Sequence, residues 1–118
     1  MGLLTSKQRE ALKGFPLYSQ DGKKGEAVAS VRLFITGTAA TFYITEANLD
    51  AGELFGVSNM EGGSWTYGYY SLEELAGISL YGGTVHTEAD AYFTPSKLKD
   101  IPELAAGLSW LWAEDGEQ

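Results

Sequence analysis

The chain has 118 residues, no cysteine and a formal net charge of -8 at pH 7. A domain of this length can bury a core without disulfides, and the lack of cysteine excludes disulfide bonds, thiolate metal sites and a cysteine nucleophile. The first residues lack a basic segment followed by an apolar run, and no apolar stretch approaches the roughly 18 residues of a membrane span, so we expect a cytoplasmic protein with no membrane contact.

The charge is unevenly distributed along the chain. Residues 1–32 carry six basic and three acidic side chains, whereas residues 33–96 carry no Lys or Arg and eight carboxylates. These are Glu46, Asp50, Glu53, Glu61, Glu73, Glu74, Glu88 and Asp90. The pattern argues against direct nucleic-acid binding, which needs clustered Lys and Arg, and it favours a protein partner with a basic surface. Solubility alone is the alternative explanation.

The N-terminal half predicts one short helix followed by strands. Thr5 and Gln8 form a capping-box pattern that opens a helix, and Gly14 ends it. A polar turn follows, and then β-branched and aromatic runs separated by glycine-rich turns predict strands. We place these strands at 27–36, 39–47, 52–59 and 64–70.

The C-terminal half predicts a second capped helix, a fifth strand and a last helix. Ser71 begins the short helix, the strand spans 84–93, and the last helix covers about 102–113 before an acidic tail at 114–118. Residues 1–118 thus form a single α+β domain, a mostly antiparallel sheet of about five strands with short helices at the termini and one between strands 4 and 5. We expect the following side chains to be mostly buried: Val31, Leu33, Phe42, Ile44, Leu54, Phe55, Leu72, Leu75, Phe93 and Leu104.

The only histidine lies in the stretch TVHTEADAYF at residues 84–93. Strand alternation places Val85, Thr87, Ala89, Ala91 and Phe93 on a core face, and His86, Glu88, Asp90 and Tyr92 on the opposite face. Imidazole and carboxylates can bind a divalent metal. However, three alternate residues on one strand span about 13 Å, so at most two neighbours reach one ion. We therefore predict a solvated strand face and no metal site.

The sequence contains no recognisable catalytic constellation. There is no G-x-S-x-G elbow and no glycine-rich phosphate loop, so we predict a non-enzyme with no catalytic residues and no cofactor. The alternative is a small hydrolase or a metal-dependent enzyme that uses His86 with Glu88 or Asp90.

The stretch WTYGYY concentrates aromatic side chains. Alternation places Trp65, Tyr67 and Tyr69 on one face and Tyr70 on the other. Aromatic platforms for single-stranded nucleic acid lie in basic grooves, which this stretch lacks, so core packing or a protein-binding patch is the better interpretation. On the last helix Trp110 and Trp112 point about 200° apart, which makes Trp110 a further candidate contact residue.

Six motifs in order over residues 3–103 resemble the bacterial and phage domain-of-unknown-function family 2958. They are LTSKQREAL, FPLYS, ASVRLFITGTAATFYITEANLD, LFGVSNMEG, YGYYSLEEL and EADAYFTPSKLKDI. The chain departs from the family pattern in FPLYS, which has one proline, in TFY, which lacks a tryptophan, and in SLYGGTVHT, which lacks a basic residue. The helix from residue 104 onward lies outside the resemblance.

The resemblance implies a small intracellular protein often carried by plasmids, phages and other mobile elements, near antirestriction genes. It supplies no catalytic residues. Together with the acidic charge it favours an inhibitor of a host nucleic-acid-handling defence complex, of the anti-CRISPR or antirestriction type, that acts as a DNA mimic. The eight carboxylates would attract a basic surface, and Trp65, Tyr67, Tyr69 and Trp110 would supply contacts. A structural or accessory protein of a phage or plasmid is a further alternative.

Overall fold

The computed structural model describes residues 2–60 and 64–108, which contain eight strands, three α-helices and three short 3-10 helices. The strands are β1 (Val28–Ala29), β2 (Val31–Ile35), β3 (Thr41–Asn48), β4 (Glu53–Asn59), β5 (Thr66–Ser71), β6 (Ser79–Leu80), β7 (Val85–Ala89) and β8 (Ser96–Lys97). The α-helices are α1 (Ser6–Lys13), α2 (Leu72–Ala76) and α3, which covers residues 102–108, and the 3-10 helices are Lys24–Glu26, Tyr81–Gly83 and Leu98–Asp100. None of the helices in these two ranges has the length and apolarity needed to cross a membrane.

Six of the strands form one antiparallel sheet in the order β5-β4-β3-β2-β7-β6, and β1 pairs with β8 in a small second sheet. The predicted α+β class with a mainly antiparallel sheet is therefore confirmed. The first predicted strand is in fact two, because Ser30 separates β1 from β2. Strands β6 and β8 were not predicted, because each has only two residues, too few to show an alternating pattern.

Side-chain caps begin the first two helices as predicted. The Thr5 hydroxyl accepts a hydrogen bond from the Gln8 amide at 3.1 Å, and the Thr5 amide donates to the Gln8 side chain at 2.9 Å, which completes a capping box. The Ser71 hydroxyl accepts from the Glu74 amide at 3.1 Å and so caps α2. The predicted last helix is present over 102–108, whereas its remainder to 113 and the tail 114–118 lie outside the described residues.

Each face of the main sheet carries a cluster of buried apolar side chains. Face A packs against α1 and α2 and carries Leu33, Phe42 and Leu54, while face B packs against β1, the turn at Leu98 and α3. Most of the predicted core is confirmed as buried: Val31, Leu33, Phe42, Ile44, Leu54, Leu75 and Leu104. The other three, Phe55, Leu72 and Phe93, are half-buried.

A β-bulge in β3 changes which residues reach each face. Ile44 pairs with Gly56 and Glu46 pairs with Phe55, so Thr45 is one extra residue in β3. Before the bulge even-numbered residues such as Ile44 lie on face A, whereas after it Ala47 lies there. Glu46 is therefore turned away from the apolar core of face A and onto face B, which is one recognised effect of a bulge.

The bulge brings the β3 backbone so close to Gly56 that a side chain does not fit. A Cβ atom at Gly56 would lie 2.0 Å from the Tyr43 carbonyl oxygen and 2.9 Å from the Ile44 Cα. Both are backbone atoms, so no side-chain rotation relieves the overlap. The pairing of β3 with β4 at this position therefore requires glycine at position 56.

We predict that Gly56→Ala lowers the free energy of unfolding by about 3 kcal/mol or more, because the β3 backbone must shift. The matched control is Gly68→Ala at the position paired with Gly56 on β5, where the new Cβ meets only the end of the Tyr70 side chain at 3.3 Å. This control should cost about 1 kcal/mol or less. Chemical denaturation measures both, and equal costs would contradict the proposed role of Gly56.

Candidate functional site

Glu46 is the carboxylate that organises the N-terminal loop. Its side chain is only 3% exposed, and its two oxygens accept hydrogen bonds from the Tyr18 amide at 2.7 Å and the Gln20 amide at 2.9 Å. The prediction that Glu46 contributes to an exposed acidic surface is wrong. The physical reason is the bulge, which aims this side chain at the loop between α1 and β1.

Gln20 ties the same loop to two strands. Its buried amide group donates to the carbonyls of Val28 and Thr45, each at 2.8 Å, and its oxygen accepts from the Val28 amide at 2.7 Å. The Ala47 amide also donates to the Phe15 carbonyl at 3.0 Å. Sequence reasoning missed Gln20 because the residue lies in a polar turn where no periodicity marks it as buried.

A pocket of about 230 Å³ opens beside these two side chains on face B. Its lining comprises Gln20, Asp21, Gly22, Lys24, Ala27, Thr45, Glu46, Phe55, Tyr67 and Leu98. The rings of Phe55 and Tyr67 are stacked at 6.0 Å, and the Tyr69 ring is tilted against Phe55 at 4.8 Å. Interaction with the Tyr18 side chain, followed by desolvation, raises the pKa of Tyr69 to about 12.

The aromatic stretch follows the predicted alternation. Tyr70 packs edge-on against Phe42 on face A, whereas Trp65, Tyr67 and Tyr69 lie on face B. Tyr67 and Tyr69 are exposed, but Trp65 is half-buried between Tyr43 and α3 and offers less surface to a partner. Trp110 lies outside the described residues.

Four of the predicted acidic residues come together at one end of the sheet. Asp50 lies in the turn between β3 and β4, Glu53 pairs with Ser71, and Glu73 and Glu74 follow in the first turn of α2. The Leu72 amide donates to the Gly52 carbonyl at 2.8 Å, which fastens α2 to that turn. All four carboxylates are exposed, and we call them the acidic end. Glu61 lies outside the described residues.

Glu88 and Asp90 differ from these four because each already has a partner. Strand β7, which carries Glu88, is three strands from β4 in the sheet, although α2, which carries Glu73 and Glu74, also contacts β7. Asp90 forms an ion pair with Arg32 at 3.1 Å, and Glu88 lies 2.8 Å from His86. Of the predicted acids that the structure describes, Glu46 is buried and Glu88 and Asp90 are paired, so only the four of the acidic end are exposed without an ion pair.

His86 and Glu88 share one face of β7, as the alternation predicts. The His86 Nδ1 lies 2.6 Å from the Gly83 carbonyl, and Nε2 lies 2.8 Å from the Glu88 carboxylate. Both neighbours are acceptors, so the geometry suits a doubly protonated imidazolium. Within residues 2–60 and 64–108 no three His, Asp or Glu side chains are grouped so as to hold a metal ion.

The alternation does not continue to residue 93. Strand β7 ends at Ala89, and a turn follows in which the Tyr92 amide donates to the Asp90 side chain at 2.9 Å. The prediction that Phe93 shares the face of Val85 is wrong, because this turn carries Phe93 to Tyr43 in the face B core.

We predict that the pKa of His86 is raised, first by the Glu88 carboxylate and then by the Gly83 carbonyl. The stability that this pairing adds is fully present below the unfolded-state pKa and is lost as pH rises through the higher folded-state pKa. An NMR titration of the imidazole C–H should give a lower midpoint in Glu88→Gln than in the wild type. An unchanged or higher midpoint in that variant would contradict the pairing.

The comparisons with known proteins bear on the resemblance seen in the sequence. A model of the family described as "Protein of unknown function (DUF2958)" matches residues 3–105. No curated protein and no solved structure matches the chain. The matched range includes the bulge, Gly56, the Glu46 pocket and the acidic end. The resemblance inferred from the ordered motifs is confirmed, and the chain belongs to the DUF2958 family.

Proposed function

We propose that this protein is a non-catalytic binding protein whose acidic end docks on a basic surface of a protein partner. The observation that carries the proposal is the grouping of Asp50, Glu53, Glu73 and Glu74. Among the described residues, Glu10, Glu26 and Asp90 form ion pairs, and Glu88 lies beside His86. The four carboxylates of the acidic end form no ion pair with another described residue. Exposed carboxylates without a counter-charge create a local negative potential.

Tyrosines on the edge strand β5 supply the short-range contacts with the partner, which charge attraction alone does not provide. Tyr67 and Tyr69 are 38% and 50% exposed on β5, which lies at the edge of the main sheet. Tyr69 is two residues from Ser71, the partner of Glu53, so its ring lies beside the Glu53 part of the acidic end, and Tyr67 lies two residues further along β5. Tyrosine is enriched among the residues that carry most binding energy, and an edge strand offers unpaired backbone groups to an extended segment.

In this proposal the partner is a host complex that handles nucleic acid, and the protein inhibits it by occupying a basic channel, as anti-CRISPR and antirestriction DNA mimics do. Two features support this assignment: the absence of Lys and Arg from residues 33–96, and the association with mobile elements that the family resemblance implies. Charge attraction of this kind acts mostly on the association rate and weakens with salt.

The competing proposal is a hydrolase that uses the His86–Glu88 pair. The pair is formed, but each ring nitrogen of His86 already faces an acceptor. A general base needs a free nitrogen lone pair within reach of its substrate. This geometry therefore favours binding over catalysis.

We predict that neutralising the acidic end with Asp50→Asn, Glu53→Gln, Glu73→Gln and Glu74→Gln slows association with the partner by about tenfold or more at low salt. The partner is first captured from host extract with the wild-type protein, identified by mass spectrometry and purified. Stopped-flow association at several salt concentrations then measures the effect, which should shrink as salt is raised.

The matched control replaces four carboxylates that already have partners: Glu10→Gln, Glu26→Gln, Glu88→Gln and Asp90→Asn. It makes the same change in net charge, so it separates the acidic end from overall charge. The acidic end does not direct binding if the acidic-end variant associates with the partner at the wild-type rate. The same conclusion follows if the control variant loses as much of the association rate as the acidic-end variant.

A separate prediction concerns catalysis. His86→Ala should leave the biological activity within a few-fold of the wild type, because His86 lies on a solvated strand face. Phage or plasmid survival in the host is the measurement. Loss of that activity together with loss of a bound metal would favour the enzymatic alternative.

A further inference from the structure

The pocket beside Glu46 combines groups that recognise an organic cation. Glu46 is buried in its lining, and each carboxylate oxygen accepts one backbone N–H. A carboxylate offers about four acceptor positions, so two further positions remain for a donor. The carboxylate is therefore fixed by the backbone and keeps capacity for a ligand.

Aromatic rings complete this environment. Phe55 and Tyr67 both line the pocket, and ring faces attract a cation that lies within about 6 Å of their centres. The lining contains two acidic residues, Asp21 and Glu46, and one basic residue, Lys24, for a formal charge of -1. The negative charge and the aromatic rings both favour a cationic ligand.

The size of the pocket limits what it can hold. Its volume of about 230 Å³ exceeds the roughly 150 Å³ of an engineered cavity that binds benzene. It is smaller than the roughly 300 Å³ at which pockets for drug-sized ligands begin. A side chain or a small amine fits these limits, whereas a nucleotide does not.

The backbone on one side of the pocket is strained. Tyr18 and Lys24 adopt φ values of +74° and +50°, a region that residues other than glycine rarely enter. Such residues cluster where a ligand or a switch requires them. Here they flank the segment that presents the Gln20 amide to Glu46.

We propose that this pocket binds a primary alkylammonium group, and that in the complex its occupant is a lysine side chain of the basic partner. The ammonium donates to Glu46, and the methylene chain and charge lie against Phe55 and Tyr67. The assignment to a partner lysine rests on the proposed function, whereas the affinity for an alkylammonium group does not.

The first test uses n-butylammonium chloride as the probe in an NMR titration of the ¹⁵N-labelled protein. Saturable shifts are expected at the amides of Gln20, Thr45 and Phe55, and n-butanol at the same concentrations should not reproduce them. No saturation, equal shifts with butanol, or shifts confined to the acidic end would overturn the proposal.

Variants that keep the fold sharpen this test. Tyr67→Leu removes one ring from the pocket and should weaken butylammonium binding about threefold or more. Tyr92→Leu is the matched control, because Tyr92 is 94% exposed and is not in the pocket lining. Equal affinities in the two variants would contradict a role for the aromatic wall. Glu46 is left unchanged because its loss would release the loop.

The second test asks whether the occupant is a partner lysine. Butylammonium chloride, but not sodium chloride at the same ionic strength, should compete with the partner for the protein. If butylammonium chloride weakens partner binding no more than sodium chloride does, while butylammonium still binds in the pocket, the assignment of the occupant to a partner lysine is wrong and the alkylammonium site stands. If the acidic-end variant binds the partner normally while butylammonium still occupies the pocket, the proposed function fails and the alkylammonium site stands.

Discussion

The close approach of β3 to Gly56 is the constraint on which the rest of the structure depends. Because position 56 has no side chain, β3 can accommodate Thr45 as an extra residue opposite β4. The extra residue reverses the alternation of β3 and turns Glu46 from the apolar face A to face B. A carboxylate that a regular strand would place in the core becomes the acceptor for two loop amides, and so avoids the cost of burying an unpartnered charge.

The position of Glu46 on face B determines the arrangement of the candidate sites. Glu46 and Gln20 hold the loop after α1 against β1 and β3, and the loop forms one wall of the pocket whose other wall is Phe55 and Tyr67. The acidic end lies a few residues further along the same strands, where the turn after β3 meets the start of α2. The pocket and the exposed tyrosines therefore lie on face B, next to the end of the sheet that carries Asp50 and Glu53, whereas Glu73 and Glu74 belong to α2, which packs on face A. Glu88 and Asp90 are already paired with His86 and Arg32.

The sequence predicted what depends on local chemistry. Side chains that cap helices act within four residues, so Thr5 and Ser71 were correctly placed, and the alternation of β5 identified its two faces. What it could not predict depends on one strand's relation to another. The bulge at Thr45 exists only through pairing with Gly56, and without it strict alternation misplaces Glu46. Phe93 was misplaced because a turn at Asp90 ends the alternation, and Gln20 was missed because its partners are up to 26 residues away.

Amide hydrogen exchange at Tyr18 and Gln20 tests the central claim most directly. Tyr18 is 64% exposed and lies in a loop, yet its amide and that of Gln20 bind a buried carboxylate. If the bulged strand holds Glu46 against this loop, both amides exchange more than about 100-fold slower than in an unstructured chain, as the amides of β3 do. Exchange of both amides at the rates of an unstructured chain, with β3 still protected, would contradict the account.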